Sequence, residues 1–132
     1  LAAATGTPAH PSDPMRRVQR ASMLIRSRLS HPPSVQEVAR QVRCTPSHLG
    51  RLFRKHYGVT VQQYIRRERA RAVLTDLAFT VKPIKVIAIS IGMTDLQQFN
   101  KLIRGEFGCS PRELRARYQR ASGPAAHADL SD

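Results

Sequence analysis

The sequence predicts an all-α fold in which two helix-turn-helix subdomains are joined by a long connecting helix, with about seven helices in all. Two observations predict it. Apolar residues recur at helical spacing between clear start and stop signals, and no segment alternates apolar with polar residues as a strand would. In addition, a pattern of two short helices separated by a tight turn occurs twice.

Two helices are predicted in the first part of the chain. Asp13 can cap the first helix with Pro14 at its opening position, and the Pro32-Pro33 pair stops it. Ser34 and Glu37 then form a capping box, in which each side chain accepts a hydrogen bond from the other residue's backbone, so a second helix starts there. The apolar face of this second helix consists of Val35, Val38, Ala39 and Val42.

The third and sixth helices are predicted to share one design. Thr45 and Asp95 can accept hydrogen bonds from the first free backbone N–H groups. Gly58 and Gly108 supply the left-handed residue that commonly ends a helix. The expected inward side consists of Leu49, Leu52 and Phe53 in the third helix and of Phe99, Leu102, Ile103 and Phe107 in the sixth.

The remaining signals set the bounds of the subdomains. A second capping box, Thr60 with Gln63, starts the connecting helix. The expected ranges are about 34–58 for the first helix-turn-helix, about 60–78 for the connecting helix, about 84–108 for the second helix-turn-helix and about 111–119 for the last helix. Together they form a domain over 14–120, while 1–13 and 121–132 have the small, polar composition of a flexible linker and a flexible tail.

The helix pairs repeat along the chain. The apolar residues of the second helix lie 49 positions before those of the fifth, as Val35 and Ile84 illustrate. Beyond the turn the spacing is 50, as between Leu49 and Phe99, so the second turn has one extra residue. A helix, a tight turn and a second helix form the helix-turn-helix pattern, whose second helix can enter the major groove of DNA.

The charge balance points to a polyanionic partner. The chain has 22 Lys and Arg residues against 9 Asp and Glu residues, a formal net charge of +13. Such an excess most often serves nucleic-acid binding, and a well solvated basic surface is the alternative. Double-stranded DNA is therefore the partner that the charge and the helix-turn-helix pattern predict together.

The polar sides of the third and sixth helices carry residue types that read base edges. At about 100° per residue these sides lie opposite the apolar ones, and they contain no acid. Arg and Lys suit guanine, and Asn and Gln suit adenine. The residues are Ser47, Gly50 and Arg51 in the third helix, and Gln97, Asn100 and Lys101 in the sixth. A glycine at position 50 permits close approach either of DNA or of a neighbouring helix.

Other cations are expected at the DNA backbone. Long cationic side chains toward the far end of a recognition helix commonly fix its register on phosphates. Arginines of the connecting helix suit phosphate contact or a solvated surface. The predicted phosphate residues are Arg54, Lys55, Arg104, Arg66 and Arg67.

The sequence gives no sign of a catalytic, cofactor or metal site. Cys44 and Cys109 lie far apart, and neither has a second Cys or His at zinc-like spacing. His48 and His56 have no Ser, Cys or carboxylate at catalytic spacing, so we expect no enzyme. No apolar run approaches the roughly 20 residues of a membrane span, so we expect no membrane partner, and the unpaired cysteines fit a reducing cytoplasm.

One segment of the chain, IAISIGMTDLQQFNKLIRGEFGCSPREL, resembles the most diagnostic region of the AraC/XylS family of transcription regulators. It contains the family's Ala-x-x-x-Gly helix, a turn and a closing Phe-Gly-x-Ser-Pro. The first unit, VARQVRCTPSHLGRLFRKHYGVTVQQYI, is similar to the same pattern, and the resemblance covers about residues 16–118. The sequence departs from it where Arg43 replaces a common Gly, Met93 a usual Phe, and Lys101 and Ile103 a common Arg and Phe. Lys101 puts a bidentate guanine contact at that position in doubt.

The resemblance implies a bacterial DNA-binding domain that regulates transcription initiation, by activation rather than repression, in the cytoplasm at the nucleoid. It adds Gln98 to the base-facing residues and implies that the long helix joins two subdomains. Family members often contact RNA polymerase, and many carry an effector-sensing domain before this one. We expect such a domain upstream and absent from this chain, because the chain starts with a linker-like sequence.

Two alternatives stay open on the sequence. An architectural DNA protein would use the positive charge without reading sequence, so replacing Arg51 or Lys101 would cost no preference at particular base pairs. A DNA-repair enzyme would use this part of the chain only to dock on DNA, and its catalytic Cys or metal cluster would have to lie upstream.

Overall fold

The structure, a computed structural model, describes residues 13–121. Within that range it has seven helices and no strand, which confirms the predicted all-α fold. The helices are α1 (Pro14–Arg26), α2 (Val35–Gln41), α3 (Pro46–Tyr57), α4 (Val61–Phe79), α5 (Ile84–Ser90), α6 (Leu96–Phe107) and α7 (Pro111–Ala121). Apart from Asp13 and Ala121, the predicted linker and tail lie outside the described residues. None of the seven helices is long and apolar enough to cross a membrane.

The chain forms two compact units that divide between Ile65 and Arg66, inside α4. In the first unit, side chains from α1, α2, α3 and the start of α4 meet in one core. Its buried members are Ala21, Ile25, Val38, Ala39, Val42, Leu49, Phe53, Val61, Tyr64 and Ile65. Polar groups at the edge are paired as well: the hydroxyls of Ser22 and Tyr57 lie 2.6 Å apart, and the Arg26 guanidinium donates to the Tyr64 hydroxyl at 2.9 Å.

The second unit has a core of the same kind. It is built from the later turns of α4 and from α5, α6 and α7, and its buried members are Ala70, Val73, Leu77, Ile87, Ala88, Ile91, Phe99, Leu102, Ile103, Cys109 and Leu114. Phe107, expected on the inward side, is only partly buried and packs against this core. Arg115 donates to the backbone carbonyl of Leu77 at 3.0 Å and so satisfies one of the free carbonyls at the end of α4.

The repeated unit is larger than the helix pair seen in the sequence. Buried residues of α1 have counterparts 52 positions later in α4: Val18 corresponds to Ala70, Ala21 to Val73 and Ile25 to Leu77. After the second helix of each pair, the start of α4 corresponds at a spacing of 50 to the start of α7, and Tyr64 and Leu114 are both buried. Each unit therefore has four helical segments, and α4 supplies a segment to both.

Arginine side chains hold the turns of both units from the helix that comes before. Arg17 of α1 donates through Nε to the Val42 carbonyl at 2.8 Å and through Nη2 to the Arg43 carbonyl at 3.2 Å. Arg69 of α4 donates to the carbonyl of Ile91, which occupies the position of Val42 in the second unit. Burial lowers the pKa of the Arg69 guanidinium, but an arginine stays cationic at neutral pH. The two arginines supply donors to carbonyls that the short α2 and α5 leave free.

The turn of the first unit contains a left-handed residue that is not glycine. Arg43 has φ of 59°, and its counterpart in the second unit, Gly92, has φ of 77°. In this region the Cβ of an L-residue crowds the backbone, which costs roughly 1–2 kcal/mol, whereas glycine adopts it freely. The glycine that the family resemblance led us to expect at position 43 is therefore also the residue that the backbone there favours.

Replacing Arg43→Gly should raise the free energy of unfolding by about 0.5–1 kcal/mol, because relief of the left-handed strain exceeds the added freedom of the unfolded chain. Arg43→Ala is the control, since it removes the same charge but keeps a Cβ in the strained position. Urea unfolding followed by circular dichroism measures both variants. Equal stability of the two would show that φ at this position carries no measurable strain.

Candidate nucleic-acid interface

The outer side of α3 gathers all five residues predicted for the first recognition helix. Pro46 opens the helix, and the Thr45 side chain accepts a hydrogen bond from the His48 backbone N–H at 3.1 Å. Burial of Leu49, Leu52 and Phe53 turns the opposite side outward. One open, concave surface is lined by Ser47, Gly50, Arg51, Arg54, Lys55 and Thr60. The structure thus brings together five predicted site residues and adds Thr60, which capping had already assigned to the start of the next helix.

The outer side of α6 presents the second set of predicted residues. The Asp95 side chain caps the helix by accepting from the Gln97 backbone N–H at 2.9 Å, while Phe99, Leu102 and Ile103 are buried. Every predicted residue of this helix is exposed: Gln97, Gln98, Asn100, Lys101 and Arg104. Gln98, which resemblance alone had placed in the set, is as accessible to a partner as the others.

The exposed residues of α3 and α6 include no acid. A solvated helix commonly mixes Glu with Lys, so an outer side of cations, amides and a hydroxyl is better suited to a polyanion. The two sides differ in residue type at matching positions, as Arg51 against Lys101 and Gly50 against Asn100 show. The interface therefore consists of two similar frames with different polar groups.

Gly50 faces open space. A Cβ built at this position would have no heavy atom within 4 Å beyond its own helix backbone and chain neighbours, and the same holds for Gly105 of α6. Close packing on a neighbouring helix, one of the two reasons considered for this glycine, is therefore wrong for the described part of the chain. Close approach of DNA at Gly50 stays a prediction.

The predicted phosphate residues fall into three groups. Arg54 and Lys55 are exposed on α3, and Arg104 is exposed on α6 with its Nη2 3.9 Å from Oε1 of Glu113. Arg66 is exposed on α4 and Arg67 is partly buried there. Neither connecting-helix arginine lines the concave surfaces beside α6.

Two cations that we had assigned no role lie beside the start of α6. Lys85, in the first turn of α5, and Arg112, in the first turn of α7, line one concave surface together with Leu96, the first residue of α6. A second concavity that Arg112 and Leu96 also line includes Asn100. The sequence places both cations in the opening turns of helices next to a recognition helix, but only the fold brings them beside Leu96.

Two side chains of the described residues, the carboxylic acid Glu113 and the thiol Cys44, have shifted pKa values that bear on possible chemistry. Hydrogen bonds from the Ser110 backbone and side chain hold the pKa of Glu113 below its usual value, so it is ionised at neutral pH. Burial raises the pKa of the Cys44 thiol, against the lowering effect of the Arg17 charge, so it is a thiol rather than a thiolate. Among residues 13–121, no group of three or more His, Cys, Asp or Glu could hold a metal ion.

Comparison with known proteins finds relatives that are transcription regulators. The Helix-turn-helix domain family model matches residues 38–117. The HTH-type transcriptional regulator YkgA of Escherichia coli is 32% identical over 93 residues, which are 70% of this chain and 39% of YkgA. The regulatory protein SoxS of Salmonella typhimurium is 30% identical over 89 residues, which are 67% of this chain and 83% of SoxS.

The fold has matching solved structures. A transcriptional regulator of Chromobacterium violaceum, described as containing an AraC-type DNA-binding domain, superimposes with a TM-score of 0.72 at 28% identity. The match covers 81% of this chain and 94% of that one. The chain thus spans nearly all of that structure and most of SoxS, but about two fifths of the length of YkgA.

Because both helical glycines face open space, Gly50→Ala and Gly105→Ala should each raise the free energy of unfolding by about 0.5–1 kcal/mol. Alanine restricts the unfolded chain and favours the helix without meeting any neighbour. Thermal unfolding followed by circular dichroism measures the effect. A drop in stability for either variant would mean that a side chain at that position meets an obstacle.

Proposed function

The chain belongs to the AraC family of transcription regulators, and we propose that it binds double-stranded DNA as the DNA-binding domain of a bacterial regulator of transcription initiation. The observation that carries the proposal is the pair of helices α3 and α6. Each has a buried apolar side and an exposed side of cationic and hydrogen-bonding residues without acids. The family match over residues 38–117 and the regulatory relatives support it.

In this proposal α3 and α6 enter successive major-groove segments, which lie about 34 Å apart along one side of the duplex. Arg51 donates two hydrogen bonds to a guanine, and Gln97 and Asn100 bind adenines. Lys101 is a point charge without the planar fork of Arg, so it binds guanine less selectively. Ser47, Gly50 and Gln98 complete the base-facing set. Because the two outer sides differ, one chain reads an asymmetric site.

The cations around the two helices bind the DNA backbone in this proposal. They fix the register of each recognition helix and contribute most of the salt-dependent affinity. The set comprises the residues expected from the sequence, Arg54, Lys55, Arg104, Arg66 and Arg67, and the two found beside α6, Lys85 and Arg112. The formal net charge of +13 supports a large electrostatic share of the affinity.

The wider biological role is also part of the proposal. The resemblance to the family favours activation over repression, contact with RNA polymerase, and an effector-sensing domain upstream of a DNA-binding domain at about 14–120. A regulator of this kind acts in the bacterial cytoplasm at the nucleoid. The relatives described above are regulators, which supports this role over docking for a repair enzyme.

Selection of bound duplexes from a random library at near-physiological salt tests the proposal. We expect one asymmetric motif with two half-sites about one helical turn apart. Arg51→Ala should cost about 1–3 kcal/mol at base pairs of one half-site, and Lys101→Ala should relax preference in the other. If no motif emerges, or if both variants weaken all duplexes equally, the chain is an architectural DNA protein and specific regulation is wrong.

Gly50→Ala separates close approach of DNA from helix stability. We expect this variant to bind the selected duplex at least several-fold more weakly although it folds more stably, because the added methyl group meets the DNA. Gly105→Ala is the matched control: it makes the same change in a recognition helix at a position outside the base-facing set. Fluorescence anisotropy with a labelled duplex measures both, and equal affinities would show that DNA does not approach Gly50 closely.

A further inference from the structure

The two recognition helices differ in what surrounds one matching arginine. Arg54 of α3 and Arg104 of α6 lie 50 positions apart in the repeat and are both exposed. Arg104 Nη2 lies 3.9 Å from Oε1 of Glu113. The position equivalent to Glu113 in the first unit is Gln63, and the described residues give Arg54 no ion pair.

Glu113 and Gln63 make the same local hydrogen bonds. The Ser110 backbone N–H donates to Oε1 of Glu113 at 2.9 Å, and the Thr60 backbone N–H donates to Oε1 of Gln63 at 2.9 Å. The return bonds also match: the backbone N–H groups of Glu113 and Gln63 donate to the Ser110 and Thr60 hydroxyl oxygens at 3.1 Å. A neutral amide therefore makes the same cap hydrogen bonds at this position as a carboxylate does, so the geometry of the cap does not require the charge.

The negative charge of Glu113 also contributes little to the fold through Arg104. The two side chains are 57% and 61% exposed, and ion pairs this exposed are screened by water and typically contribute little to stability. Arg117 is the other cation whose charge acts on the Glu113 carboxylate. Close to a DNA phosphate, however, a carboxylate both repels the backbone and competes for the arginine that would bind it.

We propose that Glu113 is a positioning residue that restrains Arg104 and weakens the grip of the second helix-turn-helix unit on the DNA backbone. Gln63 leaves Arg54 unrestrained in the first unit. The first unit then supplies more of the phosphate binding through this pair of arginines, and the second unit depends more on its base contacts. The inference rests on the proposed DNA binding.

The test uses the 132-residue chain with the substitutions Glu113→Gln and Gln63→Glu, each of which gives one unit the residue of the other. Affinity for the selected duplex is measured by fluorescence anisotropy over a range of salt concentrations. Glu113→Gln should bind about three- to tenfold more tightly at low salt and steepen the dependence of log K on log salt by up to about one unit. Gln63→Glu should weaken binding by a similar factor. Unchanged affinity and slope in Glu113→Gln would overturn the inference.

A double-mutant cycle with Arg104→Gln identifies the partner of the carboxylate. If Glu113 acts through Arg104, Glu113→Gln changes the affinity much less when Arg104 is already replaced. An equal gain in both backgrounds would mean direct repulsion of DNA and would overturn the role assigned to Arg104. Glu113→Gln should still unfold cooperatively, with a midpoint slightly below that of the unmodified chain, because the amide keeps the hydrogen bonds of the cap but loses the charge that they favour.

The two proposals fail in different ways. An unmodified chain that binds no duplex at low salt would overturn the proposed function, and this inference with it. An unmodified chain that binds a specific duplex, with Glu113→Gln indistinguishable from it, would overturn the inference alone.

Discussion

Burial of one side of each recognition helix is the constraint on which the rest of the structure depends. A helix of 12 residues, the length of both α3 and α6, is marginal in water by itself. Its stability and its orientation come from three buried residues, Leu49, Leu52 and Phe53 in α3 and Phe99, Leu102 and Ile103 in α6. The outer side has no part in that packing, so its residues can differ between the two units at little cost to the fold. The same physics explains why an apolar frame is repeated while the polar groups are not.

Polar contacts at the turns and at the helix starts add to what the apolar packing provides. Arg17 and Arg69 donate to turn carbonyls of their units from the preceding helix, and Thr45 and Asp95 cap the helices that follow. These contacts satisfy backbone groups that short helices leave free at their ends. They also fix the start of each recognition helix relative to its capping side chain and to the turn that precedes it. A DNA-binding helix needs a fixed position, because its hydrogen bonds to base edges no longer discriminate between bases when the helix shifts.

Local signals account for the parts of the fold that the sequence predicted. Caps, prolines, terminal glycines and apolar spacing act over a few residues, and they identified all seven helices and the outer sides of α3 and α6. Contacts between distant residues were not predictable in this way. The hydrogen bond from Arg17 to the Val42 carbonyl spans 25 positions. The correspondence between α1 and part of α4 was not visible in the sequence, because its spacing of 52 differs from the spacings of 49 and 50 that relate the other segments. The end of α1 at Arg26 was also missed, since the proline pair marks only where a helix cannot continue. Lys85 and Arg112 needed the fold to bring them beside Leu96.

The helix α4 contributes residues to the cores of both repeated units, so the two repeats share one helix. In many tandem-repeat proteins each repeat consists of complete helices or strands, so repeats can be added or deleted as whole units. In this chain Tyr64 completes one core while Ala70, Val73 and Leu77 begin another along the same 19-residue helix. A cut between Ile65 and Arg66 would leave each unit with the α4 residues of its own core, but it would break one continuous helix and the backbone hydrogen bonds that cross the cut. A further copy would therefore have to join the closing helix of one unit to the opening helix of the next as one continuous helix, and removing a copy would leave the other unit with a short terminal helix that its former neighbour no longer extends.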